Sequence, residues 1–125
     1  MANECAPLFR PGQSVTATAT ANVTGKRFVG VSATRDATTG LIKVAHATQA
    51  GKAFGVASRD IANGADGTIL RGGIVPVEAG GNVSAGNQVE VGANGTAVAL
   101  SSGVAVGTAV EDGTSGNDIF VALDL

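Results

Sequence analysis

The stretch Val15-Thr16-Ala17-Thr18-Ala19-Thr20-Ala21 alternates strictly between threonine and a small apolar residue, after an opening valine. A period of two puts successive side chains on opposite faces of an extended chain, here one hydroxyl-bearing face and one apolar face. The same reading extends outward to Phe28-Val29-Gly30-Val31 and to short runs over 41–48, 53–58, 68–70, 74–78, 88–91, 96–100, 104–110 and 119–123. Between them stand turn dipeptides such as Thr39-Gly40, Asn63-Gly64, Asp66-Gly67, Gly80-Gly81, Asn94-Gly95 and Asp112-Gly113. Glycine and Asn/Asp supply the backbone conformations and local hydrogen bonds that chain reversal needs. Asn94-Gly95, between two alternating runs, is the strongest two-residue hairpin signal and suits a type I′ turn. No long window sustains the helical i, i+3, i+4, i+7 pattern, and Asp60-Ile61-Ala62-Asn63 fits one helical turn at most. The reading finds no internal linker, no block of charge and no repeat. It predicts an all-β chain, a small single-domain β-barrel or β-sandwich of short strands over residues 15–125.

Residues 1–14 differ from this pattern. Pro7 and Pro11 bracket Leu8-Phe9-Arg10, and proline disfavours pairing in a central strand. The segment is expected to be an extended N-terminal arm. Leu8 and Phe9 offer apolar surface and Arg10 a charge for a carboxylate, so Pro7, Leu8, Phe9, Arg10 and Pro11 are the candidate binding residues, the alternative being a terminal segment packed on its own barrel.

Composition narrows the function. Charged residues are 14% of the chain, against about 25% in an ordinary soluble domain. There is no Trp or Tyr, and Phe occurs only at positions 9, 28, 54 and 120. A core built largely from Ala and Val gains little per side chain, and a surface poor in charge resists association weakly. Both deficits are relieved when surface is buried against other chains, so the composition reads as that of an assembly component. A net charge of −2 and an isoelectric point near 5.1 argue against a nucleic-acid partner. No apolar run approaches the roughly 20 residues of a membrane span, and the first residues lack the pattern of a secretory signal.

Candidate chemistry is sparse. Cys5 is the sole cysteine, which leaves no intramolecular disulfide or CxxC metal site. His46, the sole histidine, shares a strand face with Ile42 and Val44 and reads as a hydrogen-bonded structural residue. Asp60, Asp66, Glu78 and Glu90 are scattered, with nothing in the sequence to pair them. The acidic stretch from Glu111 to Asp118 lacks the ligand spacing of a calcium loop and reads as a hairpin turn. Arg71-Gly72-Gly73 reads as a turn or bulge, and no glycine cluster has a phosphate-binding pattern. Lys26 and Lys52 lack the context of a biotinyl or lipoyl carrier lysine. No catalytic residue, cofactor or metal is assigned.

One resemblance covers nearly the whole chain. The segment from Ala6 to Gln13 leading into Val15 resembles the amino terminus of small tailed-phage head proteins. Gly25-Lys26-Arg27-Phe28-Val29, Val44-Ala45-His46-Ala47 and Ala53-Phe54-Gly55-Val56-Ala57 follow in order. Gly72-Gly73-Ile74-Val75-Pro76-Val77, then the run from Gly80 to Val91, are the most characteristic parts. Gly103-Val104-Ala105-Val106-Gly107 and Ile119-Phe120-Val121-Ala122-Leu123 complete it. The pattern is similar to that of capsid decoration, or cement, proteins from phages of actinobacteria. The resemblance implies a non-enzymatic virion protein that binds the outer capsid surface and stabilises the head. Its implied partners are the major capsid protein and itself, as a homotrimer, and its implied place of synthesis is the host bacterial cytoplasm. The competing reading is a β-domain binding module of a phage tail or baseplate, or a host-surface adhesin.

Overall fold

A computed structural model of the chain describes residues 13–125. Its strands are β1 (Ser14–Ala19), β2 (Phe28–Ala33), β3 (Ile42–His46), β4 (Gly55–Ala57), β5 (Asp66–Leu70), β6 (Ile74–Glu78), β7 (Gln88–Val91), β8 (Ala97–Ala99), β9 (Gly107–Ala109) and β10 (Asp118–Leu123). Each overlaps a strand run read from the sequence, but β5 begins earlier and takes in Asp66-Gly67, expected as a turn, which pairs with Thr18 and Ala17. The run 104–110 shortens most: the Val104 amide bonds to Ala50, and Val106 bonds to Val89 through its amide and to the Asp124 amide through its carbonyl. Asn94 (φ 55, ψ 33) and Gly95 (φ 78) both lie at positive φ, the type I′ pair, and the Thr96 amide donates to the Ala93 carbonyl at 3.2 Å. Asp60–Asn63 forms no helical turn. Ile61 instead exchanges both backbone hydrogen bonds with Val23, at 2.8 and 2.9 Å, and buries its side chain.

The all-β expectation holds, but the strands make two units. β1 to β5 close a barrel in the order β1-β3-β2-β4-β5. β6 to β10 form a five-stranded sheet in the order β6-β10-β9-β7-β8, the same cycle with β6 standing for β1, β7 for β2 and so on. Registers match as well. Val15↔Ile69 and Ala17↔Gly67 recur as Val75↔Val121 and Val77↔Ile119, and Val31↔Val44 recurs as Val91↔Ala97. The parallel β1–β3 ladder that closes the first barrel is reduced in the second unit to one parallel bridge, Ala79↔Ala97.

The chain is therefore internally repeated, which corrects the reading of the sequence. Four copies of one turn share an alanine, an Asn or Asp three residues on, and a residue at positive φ four further on. They are Ala19-Asn22-Lys26, Ala57-Asp60-Gly64, Ala79-Asn82-Gly86 and Ala109-Asp112-Gly116, with final φ values of 59, 83, 86 and 87°. The copies meet in pairs through the bridges Val23↔Ile61 and Val83↔Gly113. The Asn/Asp has a physical job, because its side chain accepts a hydrogen bond from a turn amide of the partner copy. Asn22 takes the Asn63 amide (2.9 Å), Asp60 the Gly25 amide (2.8 Å) and Asp112 the Ala85 amide (2.8 Å).

Each unit has its own core. Val15, Ala17, Val23, Val29, Val44, Ile61 and Ile69 fill the first barrel. Val75, Val77, Val83, Val89, Val91, Val106, Ile119 and Val121 fill the second. Phe28 sits on β2 yet packs, fully buried, with the second core. The units are also tied by Lys26–Asp118 (2.6 Å), Arg27–Glu78 (3.0 Å) and the Glu78 amide donating to the Lys26 carbonyl (2.9 Å).

Candidate functional site

Pro7, Leu8, Phe9, Arg10 and Pro11 lie outside the described residues, as does Cys5. The last residues of the 1–14 segment are held in place: Ser14 opens β1, and the Gln13 carbonyl accepts from the Arg71 amide at 2.8 Å. The arm therefore joins the body beside the Arg71–Gly73 connection between the two units.

The polar candidates within 13–125 are each engaged separately. His46 is partly buried, and its Nε2 accepts a hydrogen bond from the Thr24 amide at 3.0 Å. Desolvation, with a smaller contribution from the Arg27 charge, pushes its pKa below the ordinary histidine value. The imidazole is thus held neutral as an acceptor. Asp60 caps the Gly25 amide, Asp66 accepts from the Thr18 hydroxyl at 2.6 Å, and Glu78 pairs with Arg27. Glu90 is buried and accepts from the Ser101 amide at 2.5 Å. In the acidic loop, Glu111 takes the Phe120 amide, Asp112 the Ala85 amide and Asp118 the Lys26 ammonium. These carboxylates hold turns together. Among the described residues no group of three His, Cys, Asp or Glu side chains could share a metal ion.

What the sequence reading missed are two surfaces. The first is an apolar strip on the outer face of the second unit. Ile74 and Pro76 on β6 stand opposite Ala122 and Phe120 on β10, and the Val110 amide donates to the Phe120 carbonyl. Ile74 is 61%, Phe120 46% and Val110 48% exposed. The register of the first barrel puts Ser14, Thr16, Leu70, Thr68 and Ser58 at the matching places, four hydroxyls and one leucine. The signal was present in the sequence as the loss of alternation in Ile74-Val75-Pro76-Val77 and Ile119-Phe120-Val121, where both faces are apolar. The second surface is a groove of about 620 Å³ on the first barrel, lined among others by Gly30, Val31, His46, Lys52, Phe54 and Arg71. The Arg71 guanidinium lies 4.4 Å over the Phe54 ring, and its Nε donates to the Phe54 carbonyl at 2.8 Å.

The groove lining also includes Ser32 and Thr48, beside the His46 whose Nε2 is taken up by the Thr24 amide. A model of the phage cement protein family matches residues 9–125. The chain belongs to the phage cement proteins. Its fold is similar to the crystal structure of the head fiber gp8.5 N base of bacteriophage phi29. That match has a TM-score of 0.76 and 26% sequence identity, over 89% of this chain and 92% of the other. No curated relative matches the chain. As a cement protein it is a capsid-binding structural protein, and its place is the capsid of the virion. The matched span begins at Phe9, so it takes in the end of the arm as well as both units.

Proposed function

We propose that this cement protein is a non-enzymatic clamp on the outer surface of a phage head, holding neighbouring copies of the major capsid protein against separation. The family match over 9–125 carries this reading. The dispersed engagement of His46 and the carboxylates in structural hydrogen bonds supports a role without catalysis. In this reading residues 1–14 are the arm and residues 15–125 the body, and Leu8, Phe9 and Arg10 dock on the shell after synthesis in the host bacterial cytoplasm. The body acts as a homotrimer, whose self-contact is the strip of Ile74, Val110 and Phe120. Burial of this strip adds the apolar area that a core of valine and alanine lacks. Three arms on one trimer then bind together, and the effective concentration raises avidity by about 10² to 10⁴ over a single arm.

The test is co-sedimentation with undecorated heads. The full chain is expected to bind stoichiometrically and to raise the temperature at which the heads rupture. Deletion of residues 2–12, which spares the Gln13–Arg71 bond, is expected to leave a folded body that no longer saturates the shell. A full chain that leaves heads undecorated but joins tails or adheres to host cells would replace this reading with that of a tail module or adhesin.

A further inference from the structure

The repeated architecture exposes one place where the two units differ in what fills them. In the second unit the segment entering β9 lies beside β7, joined where the Val106 amide donates to the Val89 carbonyl at 2.9 Å. Ala50, from the first barrel, bridges the next positions. Its amide donates to the Val91 carbonyl at 2.8 Å, and its own carbonyl accepts from the Val104 amide at 3.2 Å. One turn residue of the neighbouring unit, at φ 63, thus occupies the gap with backbone hydrogen bonds to both sides.

The matching place in the first barrel is the groove. The Phe54 amide donates to the Val29 carbonyl at 2.7 Å, the counterpart of the Val106–Val89 bond. β4 pairs with β2 only at Phe28 and Val29, while β2 runs on to Ala33 with no strand on that side among the described residues. By strand alternation, the N–H and C=O of Val31 face the same way as those of Val29, toward this gap. Val31 and Lys52 stand where Val91 and Val104 stand in the second unit, and no residue among those described bridges them. Gly30 occupies the place of Glu90, whose buried side chain fills the second unit's version.

Charge indicates the guest. Lys52 and Arg71 line the groove and, among the described residues, no carboxylate does, in a chain whose net charge is −2. Stacking on Phe54 fixes the Arg71 guanidinium while using one of its five donors. The chain's own residues 1–12 hold Glu4 and Arg10, with no acidic excess to match it.

We propose that this groove receives an extended acidic segment of the capsid subunit by strand addition. Adjacent residues of its backbone reach Val31 on one side and Lys52 on the other, the two edges whose counterparts Val91 and Val104 are joined in the second unit by the turn residue Ala50, and its carboxylates lie against Lys52 and Arg71. This inference rests on the capsid-binding reading above.

Binding to undecorated heads tests it with three variants and a control. Lys52→Glu and Arg71→Gln are each expected to weaken binding by about tenfold or more. Gly30→Gln, which fills the groove without adding charge, is expected to do the same. A Cβ at Gly30 meets Ala47 and Lys52 at ordinary distances of 3.7–4.0 Å, so the fold is retained, with circular dichroism as the check. Arg59→Glu, which reverses a charge outside the groove, is expected to bind as wild type. Wild-type binding with unchanged binding of all three groove variants overturns the inference and leaves the capsid reading intact. Absence of wild-type binding removes the capsid reading instead. The groove is then read by NMR of the full chain, titrated with a short peptide of alternating Glu and Val and with its Lys–Val counterpart. Shifts at Val31, Lys52 and Phe54 with the acidic peptide alone support strand addition. No shifts, equal shifts with both peptides, or binding only after deletion of residues 2–12 overturn it, the last naming the chain's own N-terminal segment as occupant.

Discussion

The two units are built on one plan, closed as a barrel in the first and left as a sheet in the second, and fill it in opposite ways. In the first, Ile61 reaches across to Gly67, where an added Cβ would lie 2.5 Å from the isoleucine Cδ1. In the second, the bulk is exchanged: Gly113 stands in the place of Ile61 and Ile119 in that of Gly67. A Cβ on Gly113 would overlap Ile119 Cγ2. One isoleucine fills the site in either case, supplied from opposite sides. The backbone ladder is thus the retained part of the design, and the side chains satisfy close packing separately in each unit. The outer faces diverge further, hydroxyls on one unit and an apolar strip on the other, as expected when only one of them is buried in an assembly.

The largest effect is expected where the units cease to be independent. Phe28 belongs to the first barrel's β2 but to the second core, whereas its counterpart Gln88 is exposed. Phe28→Ala should cost about 3–5 kcal/mol. Hydrogen exchange should then show loss of protection in β7 and β9 before β1 and β5. Uniform loss across both units would show that Phe28 does not report on their coupling.

The exchange of bulk can be tested within one barrel. Ile61→Gly empties a site and should cost at least the roughly 2–5 kcal/mol of a buried isoleucine cut to alanine. Gly67→Ile overfills it and should cost about 1–3 kcal/mol or more. The double variant reproduces the arrangement of the second unit and should recover most of the summed loss in urea denaturation. Additive losses would mean that the two sites are not equivalent.

A smaller effect is expected at the turn caps. Asn22→Ala leaves the Asn63 amide without its side-chain acceptor and should cost about 0.5–2 kcal/mol. The same change at Asn82, whose side chain makes no such bond, should cost less. Thermal unfolding of the two variants compares them directly.

The smallest effect concerns pH, and it belongs to the first unit alone, because the place of His46 is taken in the second by Ala99. The folded-state pKa of His46 lies below its ordinary value, so the unfolded chain binds the proton more readily. Its contribution is present above about pH 6.5 and is lost as pH falls through the lowered folded-state value. The urea midpoint should decline over that range in the wild type and less in His46→Gln. Asp36, held low first by the backbone amides of Thr39 and Thr38, loses its contribution only below the ordinary carboxylate range, so the two windows are separable.

Much of this fold was legible from alternation and turn chemistry. Every strand overlaps a short run read as a strand, although Asp66-Gly67, expected as a turn, belongs to β5, and Asn94-Gly95 adopts the turn its residue types favour. The duplication was not legible, because what repeats is a set of backbone roles. Lys26 fills one that glycine holds elsewhere, and Gly113 stands where its counterparts carry Val or Ile. The groove was hidden for the same reason: Ala50, Val91 and Val104 meet through amides and carbonyls that every sequence possesses. The apolar strip was readable in part, since Ile74–Val77 and Ile119–Val121 drop the polar half of the alternation.

The position of β1 has a mechanical consequence. It is paired on both sides, parallel to β3 from Ala17 to Ala19 and antiparallel to β5 from Ser14 to Thr18. The segment before it leaves from one end of the strand. A pull on that segment along the strand axis loads both ladders in shear, so their hydrogen bonds share the force instead of opening one after another from an end. The first barrel would then yield at a higher force than the same bonds would when peeled.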